Sequence, residues 1–388
     1  MSFGAGGTYT QVSGAITAAA GQVIQSAVWN SIHTDLGNSL TQLGTCLVTS
    51  PVPRNILSAN GGLEIWQRGA GGAASISVGA GTTAYTADRW YLTTGANQAH
   101  TVTQRDGLDP ASEWCAQIQR TAAQTGVTKM TFGYPLDTNE VVRMRGKIVS
   151  LAFTAATGAN WSPVSGTLAA TLYVGTGAAA KRGAGFTGET TVLPVSSGIA
   201  AATPATVYSG ISAAAVPVNA LQGELQFTWT PTGTAGAYDW FQLDDVMLDA
   251  SSAAGEGFQA QYERLPFDFQ LAACRKHFWK TFSYGAAPAQ AVGAGTGELM
   301  GMAGKAAAAA QFLPFRHPVQ MRTTPSAVTL YSPAAASAQV YDETAATYST
   351  SSSYSGLTSE SGYIASTGAA ATAVGNLLGV HLTVDAGI

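Results

Sequence analysis

From Ile56 onward, apolar and polar residues alternate with a period of two in short runs, the pattern of strands that turn one face to a core. The runs are Leu63–Gln67, Asp88–Thr93, Thr101–Arg105, Trp114–Arg120, Val127–Phe132, Lys147–Thr154, Leu168–Val174, Thr206–Tyr208, Leu221–Trp229 and Trp240–Leu248. Glycine, proline and Asn/Asp breaks separate them and no helical period intervenes. Residues 51–255 therefore read as an antiparallel, jelly-roll-like β-sandwich. Trp240, Phe241, Leu243, Val246 and Leu248 place apolar groups on both faces of the last run, which marks a central strand buried on both sides. A second, smaller β-domain over 285–388 follows in low-complexity sequence. Its strands are expected at about Ala307–Leu313, Ala327–Tyr331, Gln339–Asp342, Tyr363–Ser366 and Gly379–Val384, with Thr347–Tyr354 as an exposed loop or hairpin.

Helical periods occur in two places. After weak strand character around Tyr9–Ile16, Ser26 is placed to cap a helix over Ala27–Leu43, which Gly44 ends. Trp29, Ile32, Leu36, Leu40 and Leu43 recur at steps of three and four. Such a stripe packs either on its own domain or as a seam between identical chains. Thr49–Asn55, with two prolines, is extended and closes this segment, 1–50, off from the sandwich. The second helix, about Phe269–His277 with Asp268 as its cap, lies in a connecting stretch over 256–284. The expected fold class is thus mainly β: a short N-terminal helical segment, a sandwich, and a smaller C-terminal β-domain.

Composition changes this picture in one respect. Charged residues make up 10% of the chain, against about 25% in an ordinary soluble domain. A surface so poor in charge favours burial in an oligomer or a larger particle. The net charge of −4, with Lys and Arg scattered, gives no footprint for nucleic acid. No apolar run is long enough for membrane insertion. The start MSFGAGGTYT has no basic region of an export signal. Three distant cysteines, Cys46, Cys115 and Cys274, make no disulfide framework and read as buried small hydrophobes of a protein assembled in the cytoplasm.

Candidate chemistry is sparse. The five histidines, His33, His100, His277, His317 and His381, show no metal-ligand spacing. Cys274 and His277 share a helix face but lack an orienting third group. Asp244, Asp245 and Asp249 are either turn and edge carboxylates or ligands for Ca²⁺; neighbours on a strand, the first two point to opposite faces. Carboxyl pairs for sugar hydrolysis would have to be drawn from Asp106, Asp109, Glu113, Asp137 and Glu140, and no spacing selects any two. No catalytic set, cofactor or metal is assigned. Trp66, Trp90, Trp229 and Trp240 sit in alternating runs and read as core. Trp161 in GANWSP, with Tyr348, Tyr354 and Tyr363 in or beside the Ser/Thr-rich tract, are the candidate sugar-stacking rings.

Three segments resemble a known family. NGGLEIWQRG with YTADRWYL, carrying Trp66, Arg68, Asp88, Arg89 and Trp90, is similar to the opening of a carbohydrate-binding-like β-sandwich module of bacteriophage tail-fibre and receptor-binding proteins. WFQLDDVMLD followed by FQAQYERLPFDFQLAACRKHFW resembles the end of that module through Trp240, Tyr262, Glu263, Arg264, Pro266, Leu271 and Cys274, with His277-Phe278-Trp279 where a double tyrosine is usual. FLPFRHPVQMRTTPSAVTL matches a later segment through Pro318, Val319, Met321, Arg322 and Pro325. The N-terminal segment adds Asn30, Asp35, Leu40 and Thr41, the form of a fibre start.

The resemblance implies a non-enzymatic, homotrimeric virion protein assembled in the host cytoplasm. Residues 1–50 would attach it to other tail or capsid proteins, with Trp29, Asn30, Ile32, Asp35, Leu36, Leu40 and Leu43 at the attachment seam. The distal modules would meet a host cell-surface polysaccharide. A capsid decoration or head fibre is the alternative role, and a polysaccharide depolymerase a third.

Overall fold

The computed structural model describes residues 2–3, 9–10, 53–70, 74–251, 262–306 and 308–387. Packing divides the chain into two compact units, Met1–Pro53 and Arg54–Ile388. In the first, β1 (Ser2–Phe3) pairs antiparallel with β2 (Tyr9–Thr10), the opening residues of the strand expected over Tyr9–Ile16. The expected N-terminal helix, its residues Trp29, Asn30, Ile32, Asp35, Leu36, Leu40 and Leu43, and Cys46 lie outside the described residues.

The second unit opens with twelve strands. They are β3 (Ser75–Val78), β4 (Thr83–Tyr85), β5 (Tyr91–Thr93), β6 (His100–Asp106), β7 (Trp114–Arg120), β8 (Met130–Leu136), β9 (Ile148–Thr157), β10 (Thr167–Gly175), β11 (Thr190–Gly198), β12 (Thr206–Ile211), β13 (Gln222–Trp229) and β14 (Trp240–Ser251). Two six-stranded antiparallel sheets result, one ordered β11-β10-β13-β8-β5-β4 and the other β12-β9-β14-β7-β6-β3. The chain crosses between the sheets at most steps after β7, as in a jelly roll. The inner faces meet through Phe153 on Phe227 (ring centroids 4.9 Å apart) and Trp229 on Phe241 (4.8 Å), while Trp90 stacks on Phe132 at 5.0 Å. Rings of this size each contribute about 1.5–3 kcal/mol by burial. The mainly β, sandwich-type fold is the one the alternation predicts.

As expected, β14 is interior, between β9 and β7. It pairs with β7 only through Trp240–Leu243; beyond that, Ile56 donates its N–H to Leu248 O, and the Asn55 amide bonds both Leu248 N–H and Val246 O. The pairing with β9 slips between Asp244 and Met247, and Asp245 takes a left-handed conformation (φ 49°). This bulge breaks the alternation on which opposite faces for Asp244 and Asp245 were expected.

Leu63–Gln67 is not a strand. The Asn60 side chain bonds Ile65 N–H, Ile65 O and Asp88 O, taking backbone groups a ladder would need, and Leu63 has φ 58°. Asp88 and Arg89 likewise lie in a turn before β5, with Arg89 at φ 72°. A short helix, α1 (Thr138–Met144), was not foreseen; Asp137 and Glu140 form a capping box at its start. In the connecting stretch, α2 (Phe267–Arg275) starts two residues before the expected helix. Pro266 is its N-cap and Asp268 lies in its first turn.

The remaining strands are β15 (Phe278–Lys280), β16 (Leu299–Met302), β17 (Ala310–Arg316), β18 (Ala327–Tyr331), β19 (Tyr341–Asp342), β20 (Thr347–Tyr348), β21 (Ser351–Ser355), β22 (Ser361–Thr367) and β23 (Leu377–Asp385). Buried β23 pairs with β15, β16, β18 and β19, while β17, β22 and β21 make a three-stranded sheet. Leu313, Met321, Leu330, Val340, Ile364, Leu382 and Val384 belong to a second apolar core, separate from that of the sandwich.

Candidate functional site

The motif residues meet in one place. Cys274 on α2 is fully buried and directs its thiol to Ala59 O at 3.3 Å, packing with Ile65 and Leu271. Glu263 accepts the Asn55 N–H (2.9 Å), and Arg264 pairs with Asp245 at 2.7 Å and Glu64 at 3.7 Å. The Arg68 guanidinium lies on the Phe278 ring (3.8 Å) and bridges Asp88 (3.4 Å) to Asp385 on β23 (3.0 Å). Gln67 reaches both Asp88 and Phe278 O. Burial pushes Asp88 up to about 6, with Arg68 and Gln67 holding it lower than burial alone would. Trp66 and Trp90 anchor this joint to the core, their indole N–H groups on Leu63 O and Asn60 O. Trp240 stands apart: half-buried at the far end of β14, it lies where a Cβ on Gly158 would sit, and is not core.

Beside the joint opens a polar cleft of about 620 Å³, lined by Ser58 and Ala59, by Asp137–Glu140 at the start of α1, by Ala273, Lys276 and His277, and by Gln320–Arg322. Its wall is Arg89, 4% exposed, which pairs with Asp137 (3.3 Å) and Glu140 (3.0 Å), donates to Pro135 O (2.5 Å) and lies against His277 Nε2. His277 also meets Asp137 at 3.0 Å, and Arg322 approaches the same carboxylate at 3.6 Å. Burial would raise Asp137, but the His277 bond and the Arg89 charge hold it well below the usual carboxylate range. Burial and then Arg89 lower His277 to about 4, so its imidazole is neutral at pH 7. Burial outweighs Arg89 at Glu140 and raises it. These groups pair with one another, leaving Arg89 Nε without a hydrogen-bond partner. The Cys274 thiol and the His277 ring serve different partners, so they make no nucleophile pair.

The candidate ligand rings are distributed differently from expectation. Trp161 is 5% exposed, bonded through its indole N–H to Ile199 O and packed against Phe241 at 5.3 Å. It is a core residue and offers no ring face to a ligand. Tyr348 is half-buried against Tyr341. Tyr354, on the edge strand β21, is 42% exposed. Tyr363 pairs edge-to-face at 5.6 Å with Phe312, which is 59% exposed; both lie on the open face of the three-stranded sheet. Asp244 accepts from Leu108 N–H, Ser112 Oγ and Asp245 N–H, and Asp245 faces Arg264. No cluster of three metal-ligating side chains occurs among the described residues.

One constellation escaped sequence reading. On the outer face of the first sheet Glu224 is fully buried and accepts from Tyr91 Oη, Gln226 Nε2 (2.6 Å) and the Arg182 N–H (2.7 Å). Burial raises Glu224, and burial then Glu224 raise Tyr91. The signal was available: QGELQFTW puts Gln222, Glu224, Gln226 and Thr228 at alternate positions, hence all on one face.

No protein-family model matches the chain, and no curated protein matches it. Among solved structures it is similar to the enzymatically active domain of tailspike protein 4 of bacteriophage CBA120, at 11% identity and TM-score 0.30, covering 51% of this chain and 22% of that one. A carbohydrate-binding module of the β-sandwich superfamily, studied for promiscuous specificity, aligns at 8% identity and TM-score 0.28, over 46% of this chain and 57% of that one. A cyclase from Fischerella sp. TAU aligns at 11% identity and TM-score 0.30, over 47% of this chain and all of the other. The chain spans about a fifth of the tailspike it matches.

Proposed function

We propose that this chain is a structural, non-enzymatic virion protein of the bacteriophage fibre type, attached through residues 1–50 and recognising a host cell-surface glycan. One observation carries the reading. The residues that resemble fibre proteins come from segments as distant as Trp66, Arg89, Glu263, Cys274 and Arg322, and they gather around one joint and its cleft. That placement supports a shared architecture over coincidental short matches. The pair of exposed Phe312 and half-buried Tyr363, set among serines and threonines, is the surface we assign to glycan contact. The low charge of the chain fits homotrimeric assembly within a particle.

The trimer is tested by mass measurement of the full chain in solution; a stable monomer rejects it. Deleting residues 1–50 should abolish incorporation into particles while leaving a folded β-protein, and a truncated chain that still incorporates rejects the attachment role. Imaging labelled particles separates a tail position from a capsid one. Release of reducing ends from host polysaccharide by the purified protein would replace the non-enzymatic reading with a depolymerase.

A further inference from the structure

Tyr85 on β4 and Tyr91 on β5 are register partners, so both rings stand on the outer face of the first sheet. They meet edge-to-face with centroids 6.2 Å apart. The next register position is Gly133 on β8, where a Cβ would lie 2.8 Å from the Tyr91 ring. Glycine lets that ring lie down across the sheet, where its hydroxyl bonds the buried Glu224. The result is a two-ring pocket with an anchored carboxylate behind it.

In the free protein the pocket is filled from within. The Lys181 ammonium sits 4.1 Å from the Tyr85 centroid and 5.2 Å from that of Tyr91, while the Arg68 guanidinium, paired with Asp385, lies 4.7 Å from the Tyr85 centroid and does not reach Tyr91. Lys181 belongs to the connection between β10 and β11, whose Gly183, Gly185 and Gly188 have positive φ. That connection is fastened by the neighbouring residue: Arg182 lies on the Tyr173 ring at 3.8 Å, bonds Glu189 through two nitrogens (2.8 and 2.7 Å) and gives its N–H to Glu224. Lys181 adds no ion pair among the described residues; Glu224 and Asp385 favour its charge from a distance. Burial pulls its ammonium below its ordinary value. A tie-down would not need a second, costlier cation beside Arg182.

We propose that Tyr85 and Tyr91 form a binding site for a cationic group, held by Lys181 in the free protein and yielded to a ligand that carries an ammonium. The chemistry selects a free amine, as in an amino sugar whose nitrogen is not acetylated: the rings take the ammonium and Glu224 lies behind them, Asp385 being paired with Arg68. This site is distinct from the Phe312–Tyr363 surface and stands whether or not that surface binds glycan.

The test titrates a glucosamine tetramer, and separately the N-acetylglucosamine tetramer, into the full chain and its K181A and K181Q variants by calorimetry. Removing an intramolecular competitor held by a cation–π contact should tighten glucosamine binding about three- to thirtyfold. The acetylated tetramer should show no such gain. Y85F in the K181A background should keep the gain and Y85L should lose it. Equal affinity with and without Lys181, a gain shared by both tetramers, or a gain that survives Y85L overturns the proposal. K181Q preserves the length of the stem and reads the same outcome should K181A disturb the connection.

Discussion

Replacing Arg89 with methionine is the sharpest test of the joint. The guanidinium side chain is 3% exposed and serves Asp137, Glu140, Pro135 O and His277 at once. Removing one member of a buried ion pair costs about 3–5 kcal/mol, because the partner charge is left in a poor solvent. Neither carboxylate is stripped bare. Asp137 keeps His277 and Arg322, and Glu140 keeps the Asp137 N–H (2.7 Å) and Tyr134 Oη (3.4 Å). The loss should therefore fall at the lower end, about 3 kcal/mol at pH 7. Urea unfolding followed by tryptophan fluorescence measures it. The deficit should also shrink by pH 5. Glu140, already raised by burial, takes a proton more readily without Arg89, and His277, relieved of Arg89, can charge against Asp137. A loss under about 1 kcal/mol, or a deficit that grows on acidification, would refute the assignment of Arg89 as the charge that balances both carboxylates.

The other predictions are briefer. His100 and His277 are each lowered to about 4, burial being the first cause in both, so the unfolded chain takes up protons first as pH falls. Their contribution is complete above about 6.5 and is lost on the way down to about 4, up to about 3 kcal/mol each; an H100Q,H277Q chain should show a flatter acid limb in unfolding titrations. Y91F leaves a buried Glu224 oxygen without its hydroxyl donor and should cost about 1–3 kcal/mol by urea unfolding, while G133A, pressing on the same ring, should cost about as much. W161A should lose about 3–5 kcal/mol and leave retention on host polysaccharide unchanged wherever the variant is folded, the reverse of F312A. Burial raises the thiols of Cys115 and Cys274, so both should resist alkylation of the native protein at neutral pH and react only after unfolding.

Most strands were legible because a period-two pattern needs only one buried face to be seen. β7, β10, β13 and β14 lie where the alternation puts them. The failures have a common physical form. At Leu63–Gln67 an alternating run is held open by the side chain of nearby Asn60, which ties it to Asp88, a side-chain role that periodicity cannot register. At Trp161 a ring in a Gly/Asn/Ser/Pro setting looked like loop, yet the loop folds inward and its indole finds Ile199 O. Short edge strands such as β3 and β4, of four and three residues, carry too few positions to show a period. The cleft was invisible for another reason. Asp137, His277 and Arg322 are far apart in sequence and meet only when the second core is in place.

The joint also explains why the strongest family resemblance says so little about the ligand. Each resembling side chain there is consumed by a partner inside the protein: Cys274 by Ala59, Glu263 by Asn55, Arg264 by Asp245 and Glu64, Arg68 by Asp88, Asp385 and Phe278. Groups so engaged are committed to holding the joint, and freeing a charged one would leave its partner's charge exposed to a cost of the kind worked out for Arg89. Recognition must then come from residues that can change without disturbing the joint. Phe312 and Tyr363 on an open sheet, and Lys181 in a connection that Arg182 already holds, meet that condition. The motif sets where two β-layers meet, and specificity is left to the surfaces it holds in place.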